Sequence, residues 1–290
     1  LPVGRAIGIL GLAVLLLAPA AWAWGAAGHM VVAQIAYDEL DPAVRTEADR
    51  LIALLAPFEP RADHFVPAAY WMDEVRRTGF RGIDHWHYTN RPINAGGLGE
   101  VAGEDVHNVV WAVEQALATL GNRDAPDLSK AWMLRILLHT VGDVHQPLHC
   151  VTRFTEAQPQ GDRGGNLFLL AGPPRYNLHA YWDGVAGLLP EISPQGDWQE
   201  AVHQWTDRLQ EEVAAGGLGA EELAALSRAD SAAWARESFE LALSTVYDGI
   251  EEGGSPTPQY EARAQAAGAR RLVLAGHRLA QLLNQVLAAP

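Results

Sequence analysis

Residues 137–150 read Leu-Leu-His-Thr-Val-Gly-Asp-Val-His-Gln-Pro-Leu-His-Cys, placing three histidines and one aspartate at the end of an apolar helical pattern. His139 and Asp143 are four apart, so on a helix they project from one face. Pro147 cannot donate to the helical ladder and disfavours helix at Gln146, which ends the helix there. His149 then falls on a turn, free to face a different direction from His139. A helix-borne His/Asp pair followed by a turn-borne His suits two neighbouring metals better than one.

The rest of the chain predicts elements that can enclose this stretch. Its 290 residues are 49% hydrophobic, enough for one large core or two small ones. Apolar spacing predicts helices over 29–40, 41–55 and 63–77, the second opened by Asp41 as N-cap and Pro42 at the first helical position. The aromatic and β-branched run at 84–90 predicts an extended segment. Helices follow at 104–120 and 129–146, then a Gly-rich loop with a short strand or hairpin at 158–176. The pattern returns to helix from 177, and again over 197–213, 231–251 and 256–287. The expected fold class is mostly α: a single-domain helical bundle with a small β-hairpin or irregular loop region.

Residues 1–23 stand apart. Arg5 is a thin basic region, 7–17 an apolar run too short for a membrane span, and Ala21-Trp22-Ala23 a small-x-small cleavage signal. A signal peptide cleaved after Ala23 implies a periplasmic or secreted protein whose mature domain, 24–290, begins at Trp24. Cys150 is the only cysteine, so no internal disulfide is available; it reads as a small buried residue or a soft metal ligand.

The formal charge of −14 excludes a general basic surface for nucleic acid. A polyanionic substrate would need local positive charge from another source, such as bound metal. The histidines suggest one. His179 and Asp183 repeat the four-residue spacing of His139 and Asp143, Asp73 sits between apolar neighbours on a predicted helix, and His87 lies in the aromatic segment. A donor set of nitrogen and carboxylate oxygen fits zinc.

Six motifs then occur in order: Trp24-Gly-x-x-Gly-His29, Trp71-x-Asp73-Glu-Val-Arg, Trp86-His87-Tyr88, His139-Thr-Val-Gly-Asp143-Val-His-Gln-Pro-Leu-His149, Gly161-Asp-Arg-Gly-Gly-Asn166 and Asn177-Leu-His179-x-x-Trp-Asp183. Together they resemble the zinc-dependent single-strand nucleases and 3′-nucleotidases of fungi and plants (the S-one/P-one nuclease family). The resemblance implies a fold shared with phospholipase C and three zinc ions. The first would be held by Asp73, His87, His139 and Asp143, and the second by His149, His179 and Asp183. The third would take the α-amino group and carbonyl of Trp24, His29 and a bridging oxygen of Asp143. An α-amine, with a pKa of about 7.7–8, yields its proton to zinc far more readily than a lysine.

The resemblance further implies hydrolysis of single-stranded DNA, RNA and 3′-nucleotides to 5′-phosphorylated products, by a monomer with no membrane or stable protein partner. Tyr88 matches the position that stacks a base. Asn90 departs from the aspartate usual three residues after the ligand histidine, keeping hydrogen bonding but not acid–base capacity. Asp143, Asn90 and Asp162 are the expected catalytic residues; Tyr88, Asn90, Arg163 and Asn166 are expected to contact substrate. Spacing leaves His85 open as a ligand, but the resemblance makes neither His85 nor His145 one, and both are expected to support ligands; His64, His107, His203 and His277 are expected to be surface or helix-face residues. The alternatives are a zinc-dependent phospholipase C and a non-catalytic periplasmic zinc-binding protein.

Overall fold

The computed structural model describes residues 24–172, 176–217 and 230–288; residues 1–23, expected from the sequence to be a signal peptide, lie outside the described residues. The chain is mostly helical, as its apolar spacing predicts. α1 (Ala26–Asp38), α2 (Pro42–Leu55), α3 (Phe65–Ala68), α4 (Trp71–Arg77), α5 (Val109–Leu120) and α6 (Asp127–His145) form the first half. α7 (Leu178–Asp183), α8 (Gln199–Ala215), α9 (Ser231–Leu241) and α10 (Pro258–Val286) follow. Strands are short: β1 (Pro92–Asn94) pairs in parallel with β2 (Thr152–Phe154), and β3 (Leu169–Leu170) pairs antiparallel with β4 (Tyr176–Asn177). The latter is the small hairpin expected of the Gly-rich region. No described helix is long and apolar enough to cross a membrane.

α6 is the central element. From Leu134 to its end at His145 every residue is buried, because α1, α2, α4, α5, α9 and α10 all pack against it. The helix stops where Pro147 requires, and Gln146 turns into extended backbone before a 3-10 turn, Pro147–Cys150. The larger apolar cluster gathers α1, α2, α5, α6 and α10; a smaller one holds Leu148, Phe168, Leu178, Trp182 and Tyr260. The expected ligands on α6 and α7 therefore meet where the two clusters join.

Four expectations are corrected. Asp84–His87 is a 3-10 turn rather than an extended segment, with Trp86 N–H donating to the Ile83 carbonyl. That turn buries His87 and exposes His85. The helix expected from 63 is broken at residues 69–70 into α3 and α4. α5 starts at Val109 instead of 104, because the Asn108 side chain caps the Val110 and Trp111 amides. α9 ends at Leu241 in a π turn, Ala242–Val246, and does not reach 251. Cys150 is fully buried, its thiol against the Val144 carbonyl, and burial pushes its pKa up to about 12.

The back of α6 is tied to α9 and α10 by charge. Arg271 and Arg278 have side chains only 6% and 3% exposed, and both donate to Glu237 at 2.8 Å. Burial opposes ionisation of Glu237, but hydrogen bonds from Arg278 and Arg271 outweigh it and hold its pKa below the usual value. Its contribution to stability is therefore complete above the unfolded glutamate pKa of about 4.3 and is lost as pH falls through the depressed folded value. Glu237→Ala leaves two buried guanidinium groups without a carboxylate, and because Glu237 itself is 40% exposed and partly screened it should destabilise the fold by about 2 kcal/mol. Chemical denaturation at neutral pH checks this, and a loss below about 1 kcal/mol would contradict it.

Candidate metal centre

Five histidines and three aspartates converge in one buried cluster: His29 of α1, Asp73 of α4, His87, His139 and Asp143 of α6, His149, and His179 and Asp183 of α7. Asp143 is its hub. Its Oδ2 lies 3.0 Å from His87 Nδ1 and 3.2 Å from His139 Nε2. Its Oδ1 lies 3.4 Å from His29 Nε2 and 3.7 Å from His149 Nδ1. Asp73 Oδ1 stands 3.9 Å from His87 Nδ1 and 4.0 Å from His139 Nε2. His179 Nε2 is 3.2 Å from His149 Nε2 and 3.7 Å from Asp183 Oδ1.

Three groups of ligand atoms, each within 4.8 Å of one another, result: His29, Asp73 and His139; His87, His139 and Asp143; and His149, His179 and Asp183. The last is the set expected from the sequence for the second metal. The first differs in detail, since His29 groups with Asp73 and His139 while also lying near Asp143.

Backbone carbonyls fix the tautomers. His139 Nδ1 donates to the Ala69 carbonyl at 2.7 Å, and His179 Nδ1 to that of Gly164 at 2.6 Å. His149 Nδ1 donates to the His87 carbonyl. A neutral imidazole that spends its N–H in this way presents a lone pair at Nε2. The lone pairs of His149 and His179 thus face each other at 3.2 Å and repel unless a cation lies between them. A proton is a poor answer: burial drives the His179 pKa down to about 3 and lowers that of His149 as well.

Unpartnered atoms point the same way. Neither nitrogen of His29, neither oxygen of Asp73, His87 Nε2 nor Asp143 Oδ1 has a hydrogen-bond partner. Such groups are expensive to bury. Burial raises the pKa of Asp73 and pushes that of Asp183 well up. Burial also opposes charge on Asp143, yet the surrounding imidazoles, His139 foremost, hold its pKa well below the usual carboxylate range. The donor set and its free valences fit metal ions.

The first described residues, Trp24 and Gly25, are anchored beside the cluster. Trp24 is fully buried, with its indole N–H donating to the Gly142 carbonyl at 2.9 Å. Gly25 N–H donates to the Asp183 carbonyl at 3.0 Å. A Cβ at Gly142 would lie 2.8 Å from His29 Nδ1, so any larger residue there must push the His29 ring aside.

The residues expected to contact substrate are less buried than the cluster. Tyr88 is half-buried beside the His85 ring, and Thr89 N–H holds the segment to the His149 carbonyl at 2.8 Å. Asn90 adopts a left-handed φ of 54°. Arg163 is exposed, and Asn166 Nδ2 donates to its carbonyl at 2.8 Å. Asp162 accepts from Arg153 N–H at 2.9 Å and from the Tyr247 hydroxyl at 2.6 Å. Both its oxygens are thus engaged in holding the turn that presents Gly164 to His179.

His145 faces away from the cluster, Nδ1 donating to the Val141 carbonyl and Nε2 accepting from Arg278. His85 is exposed and lies 3.0 Å from Asp105. His64, His107 and His203 are exposed, and His277 pairs with Glu39. Two residues join the site that sequence reasoning does not single out. Gln146 donates to Asp183 Oδ1 at 2.7 Å and accepts from Leu148 N–H, so it orients a ligand. Arg76 lies 3.7 Å from Asp73 and 3.1 Å from Asp84, and its field reaches His87, Tyr88 and His179. Its place within the Trp71-x-Asp73-Glu-Val-Arg motif is the available signal.

Residues 24–288 match the family model described as S1/P1 Nuclease. The chain is 25% identical to Endonuclease 2 of Arabidopsis thaliana, over 93% of this chain and 92% of that one. It is 25% identical to Endonuclease 1 of the same plant, covering 97% and 93%. To Nuclease S1 of Aspergillus oryzae it is 23% identical, covering 96% of each.

Gly142→Ala should displace His29 and lower the number of bound metal ions while leaving the helical content intact. Metal analysis with circular dichroism tests this; a folded variant with undiminished metal would contradict it.

Proposed function

The chain belongs to the S1/P1 nuclease family, and from that premise we propose that it is a zinc-dependent phosphodiesterase acting on single-stranded DNA, RNA and 3′-nucleotides, leaving 5′-phosphorylated products. The family makes it a hydrolytic nuclease; the observation that carries the zinc reading is the pair of facing imidazole lone pairs at His149 and His179. Family membership favours this reading over a phospholipase C or a non-catalytic binding protein.

Asp73, His87, His139 and Asp143 would hold one zinc, and His149, His179 and Asp183 a second. Trp24, through its α-amine and carbonyl, would hold a third with His29 and Asp143. Bound zinc supplies positive charge for the phosphate and acidifies a water nucleophile. The chain's own residues do the rest. The carbonyls of Ala69, His87 and Gly164 orient the imidazoles, and Gln146 orients Asp183. Arg76, a cation at the rim, meets a phosphate oxygen as negative charge develops there. Tyr88 stacks the base on the 3′-oxygen side, a contact that needs an unstacked base and so favours single strands. Asn90 hydrogen-bonds that base, Arg163 meets the backbone, and Asp162 and Asn166 hold the turn beneath. The family match begins at Trp24, which supports cleavage after Ala23 and export as the step that frees the amine.

Digests of single-stranded and duplex DNA and of RNA, with and without chelator, should show single strands cut to 5′-phosphorylated ends only when metal is present. Duplex cut equally well, or 3′-phosphorylated ends, would contradict the proposal. Arg76→Ala should lower kcat about 100-fold with the metal content unchanged; near-normal turnover would remove Arg76 from the chemistry.

A further inference from the structure

α9 ends in the π turn Ala242–Val246, closed by the Tyr247 N–H donating to the Ala242 carbonyl at 3.1 Å. One extra residue in a helix rotates everything after it by about 100°. The π turn therefore decides which way Val246 and Tyr247 face. We infer that this turn anchors the metal group His149, His179 and Asp183, with Tyr247 and Tyr260 as positioning residues that act through Asp162 and Trp182. What the group holds rests on the zinc reading above.

Two hydrogen-bond routes run from the turn to α7. In the first, the Tyr247 hydroxyl donates to Asp162 Oδ2 at 2.6 Å. Asp162, only 3% exposed, is fixed from its other side by Arg153, whose N–H donates to Oδ1 at 2.9 Å and whose carbonyl accepts the Asp162 N–H at 2.9 Å. Two residues further on, the Gly164 carbonyl accepts from His179 Nδ1 at 2.6 Å. In the second, the Val246 carbonyl accepts from the Tyr260 hydroxyl of α10 at 2.6 Å. The Tyr260 oxygen in turn accepts from the Trp182 indole N–H at 2.9 Å, and Trp182 directly precedes Asp183. Consecutive residues of one turn thus reach both ligands that α7 carries.

The routes are buried, which makes them specific. Val246, Tyr260 and Trp182 have essentially no exposure, and a polar group left unpaired there is costly. Burial, with Asp162 beside it, pushes the Tyr247 phenol well above its usual pKa, so it stays a donor. Ring packing alone would need neither tyrosine hydroxyl, yet both are engaged. His139, in the other two metal groups, takes its orientation from the Ala69 carbonyl, outside both routes.

Tyr247→Phe and Tyr260→Phe each remove one hydroxyl and keep the ring. Zinc competition with a chelator, and nuclear magnetic resonance of isotope-labelled histidines, test the inference without turnover on the protein as isolated. In Tyr247→Phe one zinc should bind about 10–100-fold more weakly, and the His179 Nδ1–H resonance should shift and exchange faster with water. Tyr260→Phe should weaken the same zinc. The remaining zinc ions and the His139 proton should match the wild type in both variants, which a general loosening of the fold would not allow. Wild-type zinc affinity in Tyr247→Phe, an unmoved His179 resonance, or a parallel fall in every zinc affinity would each overturn the inference. A wild type that holds no zinc would sink the zinc reading instead, and the His179 resonance would still decide whether Tyr247 positions that ring.

Discussion

Asp143 keeps four imidazoles within 3.7 Å of one buried carboxylate, and the rest of the structure is arranged around that fact. A carboxylate with no exposure needs compensating positive charge, yet the histidines near it are poor proton holders. His29 and His87 are pushed by burial down to about 4, and His179 to about 3. Only His139 moves the other way, because Asp143 and Asp73 more than offset its burial. Such a cluster, with unpartnered nitrogens and oxygens turned inward, is balanced by metal cations and by little else. Metal ions held there would give an acidic chain the local positive charge that a polyanion requires.

The irregular segments are where the ligands acquire their orientation. The break between α3 and α4 frees the Ala69 carbonyl for His139. The 3-10 turn Asp84–His87 turns His87 inward and offers its carbonyl to His149. The turn held by Asp162 presents the Gly164 carbonyl to His179, with Gly164 at a φ of 61° and too close to the Leu148 carbonyl for any Cβ. Against these, α6 is rigid, packed on all sides and fastened from behind through His145, Arg278 and Glu237. A stiff helix and three local deviations together hold the cluster.

What can be read in the sequence divides along physical lines. The four-residue pairs His139/Asp143 and His179/Asp183 are legible because helical spacing fixes which side chains share a face. Pro147 ends α6 where its missing N–H requires, and the Gly-rich region gives a hairpin. At 84–87 propensity favours a strand, whereas packing of His87 into the cluster prevails and makes a turn. The start of α5 depends on the Asn108 cap, a local signal that a longer apolar pattern obscures. The motif around Asp162 suggests chemistry, but its hydrogen bonds to Arg153 and Tyr247 are visible only in three dimensions. Gln146 reads only as a helix end, and its contact with Asp183, 37 positions away, has no local signature.

On this reading one cluster joins the middle of the chain to its processed end. The most direct test is zinc per chain, measured for protein beginning at Trp24 and for protein carrying one additional residue before it. Three zinc ions are expected in the first and two in the second, because the extra residue converts the α-amine into an amide that cannot serve as ligand. One zinc or none in the first, or three in both, would contradict it.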